Sequence, residues 1–138
     1  MILIITAFVL FASTTFAQST KYQVVVNKNN PVTSLSKNQL KKIYTKKMTK
    51  WDDDKKIKPL DLLKNSDVRS SFSSNVLKKS VSAMRAYWQR QIFSGKGVPP
   101  PEKKSDTDVI EYVKNNPGAI GYVSAGANIS GVKKIKIN

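Results

Sequence analysis

The 138-residue sequence contains no cysteine and no histidine. Without cysteine there is no disulfide framework, no thiolate zinc site, no thiol nucleophile and no lipoprotein anchor. Without histidine there is no imidazole base and no imidazole metal ligand. That removes the Ser-His-Asp and Cys-His triads together with the HExxH metalloproteases. Acidic residues are also scarce: nine stand against 24 basic ones, for a formal charge of +15. Arginine occurs only at positions 69, 85 and 90, so the excess is lysine. Lysine is a hydrated point charge without arginine's planar fork, which makes the excess weak evidence for reading bases or phosphates. A basic surface drawn to anionic membrane or wall polymers by long-range attraction accounts for it. Nucleic acid is disfavoured as a partner, because the aromatics sit in apolar helical patterns and are not interleaved with the basic runs. What remains is ordinary: a hydrophobic fraction of 40% is too high for a disordered tail.

The one long apolar run is N-terminal, from Met1 through Ala12, followed by small and polar residues that end Thr14-Thr15-Phe16-Ala17. Ala17 at −1 and Thr15 at −3 suit signal peptidase, so residues 1–17 read as an export signal and the mature chain as 18–138. The run is shorter than the roughly 20 apolar residues of a membrane span. Its flank carries no Lys or Arg, and an uncleaved N-terminal anchor is the alternative. Every charged side chain lies beyond Ala17, in a stretch long enough for one domain.

Tyr22 to Val26 is a β-branched run broken by Asn27 to Pro31, which predicts a strand and a turn. Ser36 and Gln39 form a capping box for a helix facing inward through Leu40, Ile43 and Tyr44. Thr45 to Lys56 is polar, with Trp51 expected to fold back onto the core. Ile57 to Leu63 predicts a short strand, with Pro59 marking an edge or a strand start. Asn65-Ser66-Asp67 opens a helix through Val68, Phe72 and Val76. Ser80 or Ser82 opens another, with Met84, Tyr87, Trp88 and Ile92 on one buried face. Gly95-Lys96-Gly97 ends it, and Pro99 to Pro101 extends the chain. Ser105 caps a helix buried through Val109, Ile110 and Val113. Asn116-Pro117-Gly118 then turns into a strand at Ala119 to Val123. Val132 to Ile137 mixes apolar residues with lysines and reads as an edge strand protected by charge. The alternation predicts a small α/β domain with helices on a mixed sheet.

Chemistry-bearing motifs are few. Asp52-Asp53-Asp54 lacks calcium-loop spacing and reads as a solvated loop beside Lys50, Lys55 and Lys56. No GxSxG pattern occurs, and Gly95-Lys96-Gly97 lacks the rest of a Walker motif. No enzyme and no cofactor are expected.

Four pieces in order carry a resemblance. They are Val24 to Val32 with Leu35-Ser36 and the helix ending Ile43-Tyr44; Thr45-Lys46-Lys47-Met48-Thr49-Lys50-Trp51; Arg69 with Phe72 and Leu77; and Pro117-Gly118-Ala119-Ile120-Gly121-Tyr122-Val123. Together the chain resembles the PstS-like phosphate-binding proteins of ABC uptake systems, in a short form. The resemblance implies a single lobe of a type II periplasmic-binding-protein-like fold, a small mixed sheet flanked by helices. It implies a secreted or periplasmic domain that binds phosphate or a related oxyanion, weakly or as a homodimer, with an ABC permease or envelope component as partner. The family holds its anion at a Ser-Gly-Thr helix start. Here Ser66-Asp67-Val68 stands at that place, so Ser66, Arg69 and Ser70 are the candidate anion contacts. For Ser66 a simple helix cap is the favoured reading over a ligand contact, and Arg69 either forks an anion or pairs with Asp67 or a neighbouring carboxylate. The alternative function is a non-catalytic interaction module that kept the fold and lost the anion site.

Overall fold

The computed structural model describes residues 21–138, and the expected export signal lies outside the described residues. The sheet grows from two strongly apolar runs. Tyr22–Asn27 forms β1, buried at all six positions, as a central strand covered on both faces must be. It pairs antiparallel with β6 (Ala119–Ser124) on one side and with β7 (Val132–Ile137) on the other. Two short strands complete the sheet: β2 (Ser34–Leu35) lies parallel to β7, and β3 (Lys58–Pro59) parallel to β6. The strand order is β2-β7-β1-β6-β3, a mixed sheet as the sequence predicts.

Two expectations about strands are corrected. β7 is not an edge strand, because β2 covers its outer side. Two residues are too few for a sheet period to show in the sequence. Backbone bonds define β2 instead: the Lys136 N–H donates to the Thr33 carbonyl and the Asn138 N–H to the Leu35 carbonyl, both at 3.0 Å. The predicted strand over Ile57 to Leu63 does place Pro59 at a sheet edge, but it breaks in two. The Leu60 N–H still reaches Ile120 in β6, whereas the Asp61 N–H turns to the Pro101 carbonyl at 2.9 Å. Asp61–Leu62 (β4) then pairs in parallel with Glu102–Lys103 (β5) as a separate ribbon.

The helices start where the sequence places caps. Both arms of the Ser36/Gln39 box form at the head of α1 (Lys37–Tyr44), which buries Leu40, Ile43 and Tyr44. Ser66 caps α2 (Asp67–Phe72), Ser80 caps α3 (Val81–Phe93) and Ser105 caps α4 (Asp106–Asn115). Between α2 and α3 the chain widens into a π-helical turn over Ser73–Leu77 and stops at Lys78, which is left-handed with φ 56°. Phe72 stacks on Tyr122 with ring centroids 3.9 Å apart and meets Tyr44 edge-on at 4.8 Å, tying α2 to β6 and α1. Trp51 does fold back, donating its Nε1–H to the Gly118 carbonyl at 3.0 Å. The α3 stripe is shorter than expected. Met84 and Trp88 are buried and Tyr87 half-buried, but Ile92 is 51% exposed because the last turn extends past the core.

Candidate functional site

The three candidate anion contacts part company in the structure. Ser66 Oγ accepts the Arg69 N–H at 3.2 Å and so serves as a helix cap. Arg69 turns inward and is 7% exposed. Its Nη1 donates to the Leu62 carbonyl at 2.9 Å and to Glu102, while Nη2 lies 3.7 Å from Asp61 Oδ2. Of the two roles open to Arg69, the geometry displays carboxylate pairing, with Asp61 and Glu102 and not with Asp67. Two carboxylates against one guanidinium leave no net positive charge there. Ser70 alone faces out.

The break between β3 and β4 creates this buried cluster, because it turns Asp61 away from the sheet. The Tyr122 hydroxyl donates to Asp61 Oδ1 at 2.6 Å and accepts the Leu62 N–H at 3.3 Å. Burial raises the Asp61 pKa; Arg69 and the Tyr122 hydrogen bond pull it back, and the net direction is up. Burial likewise raises the hydroxyls of Tyr122 and Tyr44, with the Asp61 charge adding to it. A carboxyl whose folded pKa is raised contributes stability that is complete below its unfolded pKa and lost as pH rises through the folded one. Asp61→Asn keeps the shape and cannot ionise. Its stability relative to wild type is expected to improve from about pH 4 upward and then level off. The gain is about 1.4 kcal/mol for each tenfold by which folding tightens the hold of Asp61 on its proton. Urea unfolding at a series of pH values reads this. A pH-independent difference would mean that Asp61 titrates alike folded and unfolded.

On the other side of α2 lies an open groove of about 700 Å³, lined by Lys64, Ser70, Ser74, Lys78, Lys79 and the first turn of α3. Its construction follows from local sequence. The π-turn and left-handed Lys78 swing Lys78 and Lys79 toward Ser70 and Ser74, and the Ser73 hydroxyl clamps the bend by donating to the Lys79 carbonyl at 2.6 Å. Ser80 Oγ takes the Ala83 N–H, while the N–H groups of Val81 and Ser82 precede any carbonyl they could bond within the helix. No carboxylate lines the groove, and α3 has no acidic residue in its first turn. Among the described residues, none of the three lysines forms an ion pair. Hydroxyls, ammoniums and helix-start N–H groups are the donors a tetrahedral oxyanion takes.

Sequence reading reached Ser70 but missed Lys64, Lys78 and Lys79. For Lys78 and Lys79 the available signal was the absence of any acidic residue between Asp67 and Glu102, whereas Lys64 lies between Asp61 and Asp67 and carried none. A second, more enclosed pocket of about 270 Å³ has an apolar floor including Ile43, Ile57 and Leu60, with Lys46, Lys56 and Lys58 around it and no serine. Burial and the nearby Lys56 lower the Lys46 pKa. The aspartate run lies at the surface, with Asp54 pairing with Lys50 and Asp53 with Lys55.

The mixed five-stranded sheet with its capped helices defines a small α/β domain. Residues 21–136 match the family model for a PBP superfamily domain, and the chain belongs to that superfamily. Its fold is the expected single lobe. Among solved structures it is similar to an ABC-type phosphate transport receptor from Vibrio cholerae, with 28% identity and a TM-score of 0.68 over 85% of this chain and 46% of that one. It is also similar to a phosphate ABC transporter substrate-binding protein with bound phosphate from Clostridium perfringens, at 26% identity and TM-score 0.68 over 85% and 44%. PstS from Borrelia burgdorferi shares the fold at 20% identity and TM-score 0.67, over 86% and 47%. The chain thus spans less than half the length of each of these. No curated protein matches it.

Proposed function

We propose that the chain is a non-catalytic binding domain for phosphate or a related oxyanion, held in the groove of Lys64, Ser70, Lys78 and Lys79. The observation that carries this reading is a carboxylate-free cluster of lysines and serines at the start of α3. Likeness to the Vibrio phosphate transport receptor and the phosphate-bound Clostridium protein supports the anion's identity. One lobe covers an anion on one side only, so affinity is weak unless a second copy or another lobe faces the groove. An ABC permease or envelope component as onward partner, and a place outside the cytoplasm after export, belong to the same reading.

Calorimetric titration of residues 21–138 with phosphate, sulfate and molybdate tests it. These residues close their own core, so they can be studied alone. Saturable binding is expected, weakened about tenfold by Lys78→Gln with Lys79→Gln. No heat at millimolar ligand, for monomer or dimer, would remove small-anion binding. The inward pairing of Arg69 favours one second reading, an interaction module that has lost its anion. That reading expects no anion heat and a reproducible, salt-sensitive partner from envelope extract.

A further inference from the structure

The distal end of α3 carries an apolar tip that the fold leaves uncovered. Phe93 is 95% exposed, Val98 60% and Ile92 51%. Phe93 follows the buried Trp88 by five residues, so it points away from the core by roughly 140° round the helix. The turn after the helix folds back on its last turn, and Val98 follows in the chain. The Gly95 N–H bonds to the Ile92 carbonyl at 3.1 Å and the Lys96 N–H to the Gln91 carbonyl at 2.9 Å. A Cβ placed on Gly97 would lie 3.9 Å from the Trp88 ring. Arg90 and Lys96 are exposed beside this tip, Arg85 is exposed roughly 12 Å back along α3, and no acidic residue occurs between Asp67 and Glu102.

We propose that this tip docks peripherally on an anionic phospholipid bilayer, with Phe93, Ile92 and Val98 entering the headgroup boundary and Arg85, Arg90 and Lys96 meeting lipid phosphates. Charge selects the occupant. A second copy would bring its own +15 and the same basic rim against this one. A dissolved polyanion would satisfy the arginines and leave Phe93 in water. An acidic bilayer supplies both the phosphates and an apolar layer within reach of short side chains. No helix among the described residues is long and apolar enough to cross a membrane, so the contact is superficial. This is a different surface from the lysine-serine groove at the other end of α3, and it does not depend on anion binding there.

The test is flotation of residues 21–138 with vesicles of phosphatidylcholine alone and of phosphatidylcholine mixed with phosphatidylglycerol. Phe93→Ser with Ile92→Ser, and Arg85→Gln with Arg90→Gln, run beside wild type. Binding is expected only to the mixed vesicles, and each double variant is expected to weaken it about tenfold. All four residues are exposed or half-exposed on α3, and circular dichroism checks that the fold is retained. As a gain-of-signal check, Phe93→Trp should shift its fluorescence to the blue on mixed vesicles. Equal binding to neutral vesicles, or unchanged binding by the Phe93 variant, overturns the proposal. So does a protein that ignores vesicles but dimerises through Phe93, or that binds heparin regardless of it.

Discussion

Replacing Gly118 by alanine is expected to lower the unfolding free energy by about 3 kcal/mol or more, at the upper end of overpacking effects. The methyl group would sit 2.1 Å from the Lys56 carbonyl oxygen, a backbone atom with no rotamer to escape through. Nor can the Gly118 segment withdraw. Its carbonyl accepts the Trp51 indole N–H and the Lys58 backbone N–H, both at 3.0 Å. Lys56 is held in turn by a bridge to Lys50. Moving either strand therefore releases Trp51 from the core or opens β3. Gly126→Ala is the control: nothing lies within 4 Å of its Cβ, and its effect should stay within about 0.5 kcal/mol. Urea unfolding compares the two, and equal stabilities would contradict the close approach.

Arg69→Ala is expected to cost about 3–5 kcal/mol, the usual penalty for removing one partner of a buried ion pair. The Glu102 side chain is 46% exposed and can rehydrate, but that of Asp61 is 10% exposed and cannot. The Leu62 carbonyl also loses a donor. Because Arg69 lowers the Asp61 pKa, the mutant's Asp61 should protonate in the folded state at still higher pH. Arg69→Met combined with Asp61→Asn should recover part of the loss, and a double-mutant cycle measures the coupling. This outcome separates structure from ligand. If Arg69 served mainly to grip phosphate, the variant would fold normally and phosphate would no longer stabilise it. A binding test built on Arg69 alone would thus confuse unfolding with a lost contact, which is why the lysine pair at positions 78 and 79 is the better probe.

Much of the frame was legible because its signals are local. Ser36, Ser66, Ser80 and Ser105 all cap helices, since a cap is a side chain bonding a backbone N–H three residues on. Val24 to Val26 and Ala119 to Val123 declared themselves as strands through apolar continuity. Ile92 misled because periodicity records which way a side chain points along a helix, and does not record where the packing partner ends. The candidate site was harder still. Ser70 was visible within a helix start, but its neighbouring cations come from Lys64 before that helix and from Lys78 and Lys79 beyond the π-turn.

By itself the sequence determined the export-signal pattern, the basic charge, the exclusion of histidine and cysteine chemistry, the helix starts and the family likeness. Each depends on composition or on residues a few positions apart. The tertiary structure alone decided which strand lay inside the sheet, that β4 left it, and that Arg69 turned inward to Asp61 and Glu102. Those outcomes depend on partners distant in the chain, 33 residues apart in the Arg69–Glu102 pair. Whether a charge faces solvent or a counter-charge is settled by burial, and burial belongs to the packed molecule.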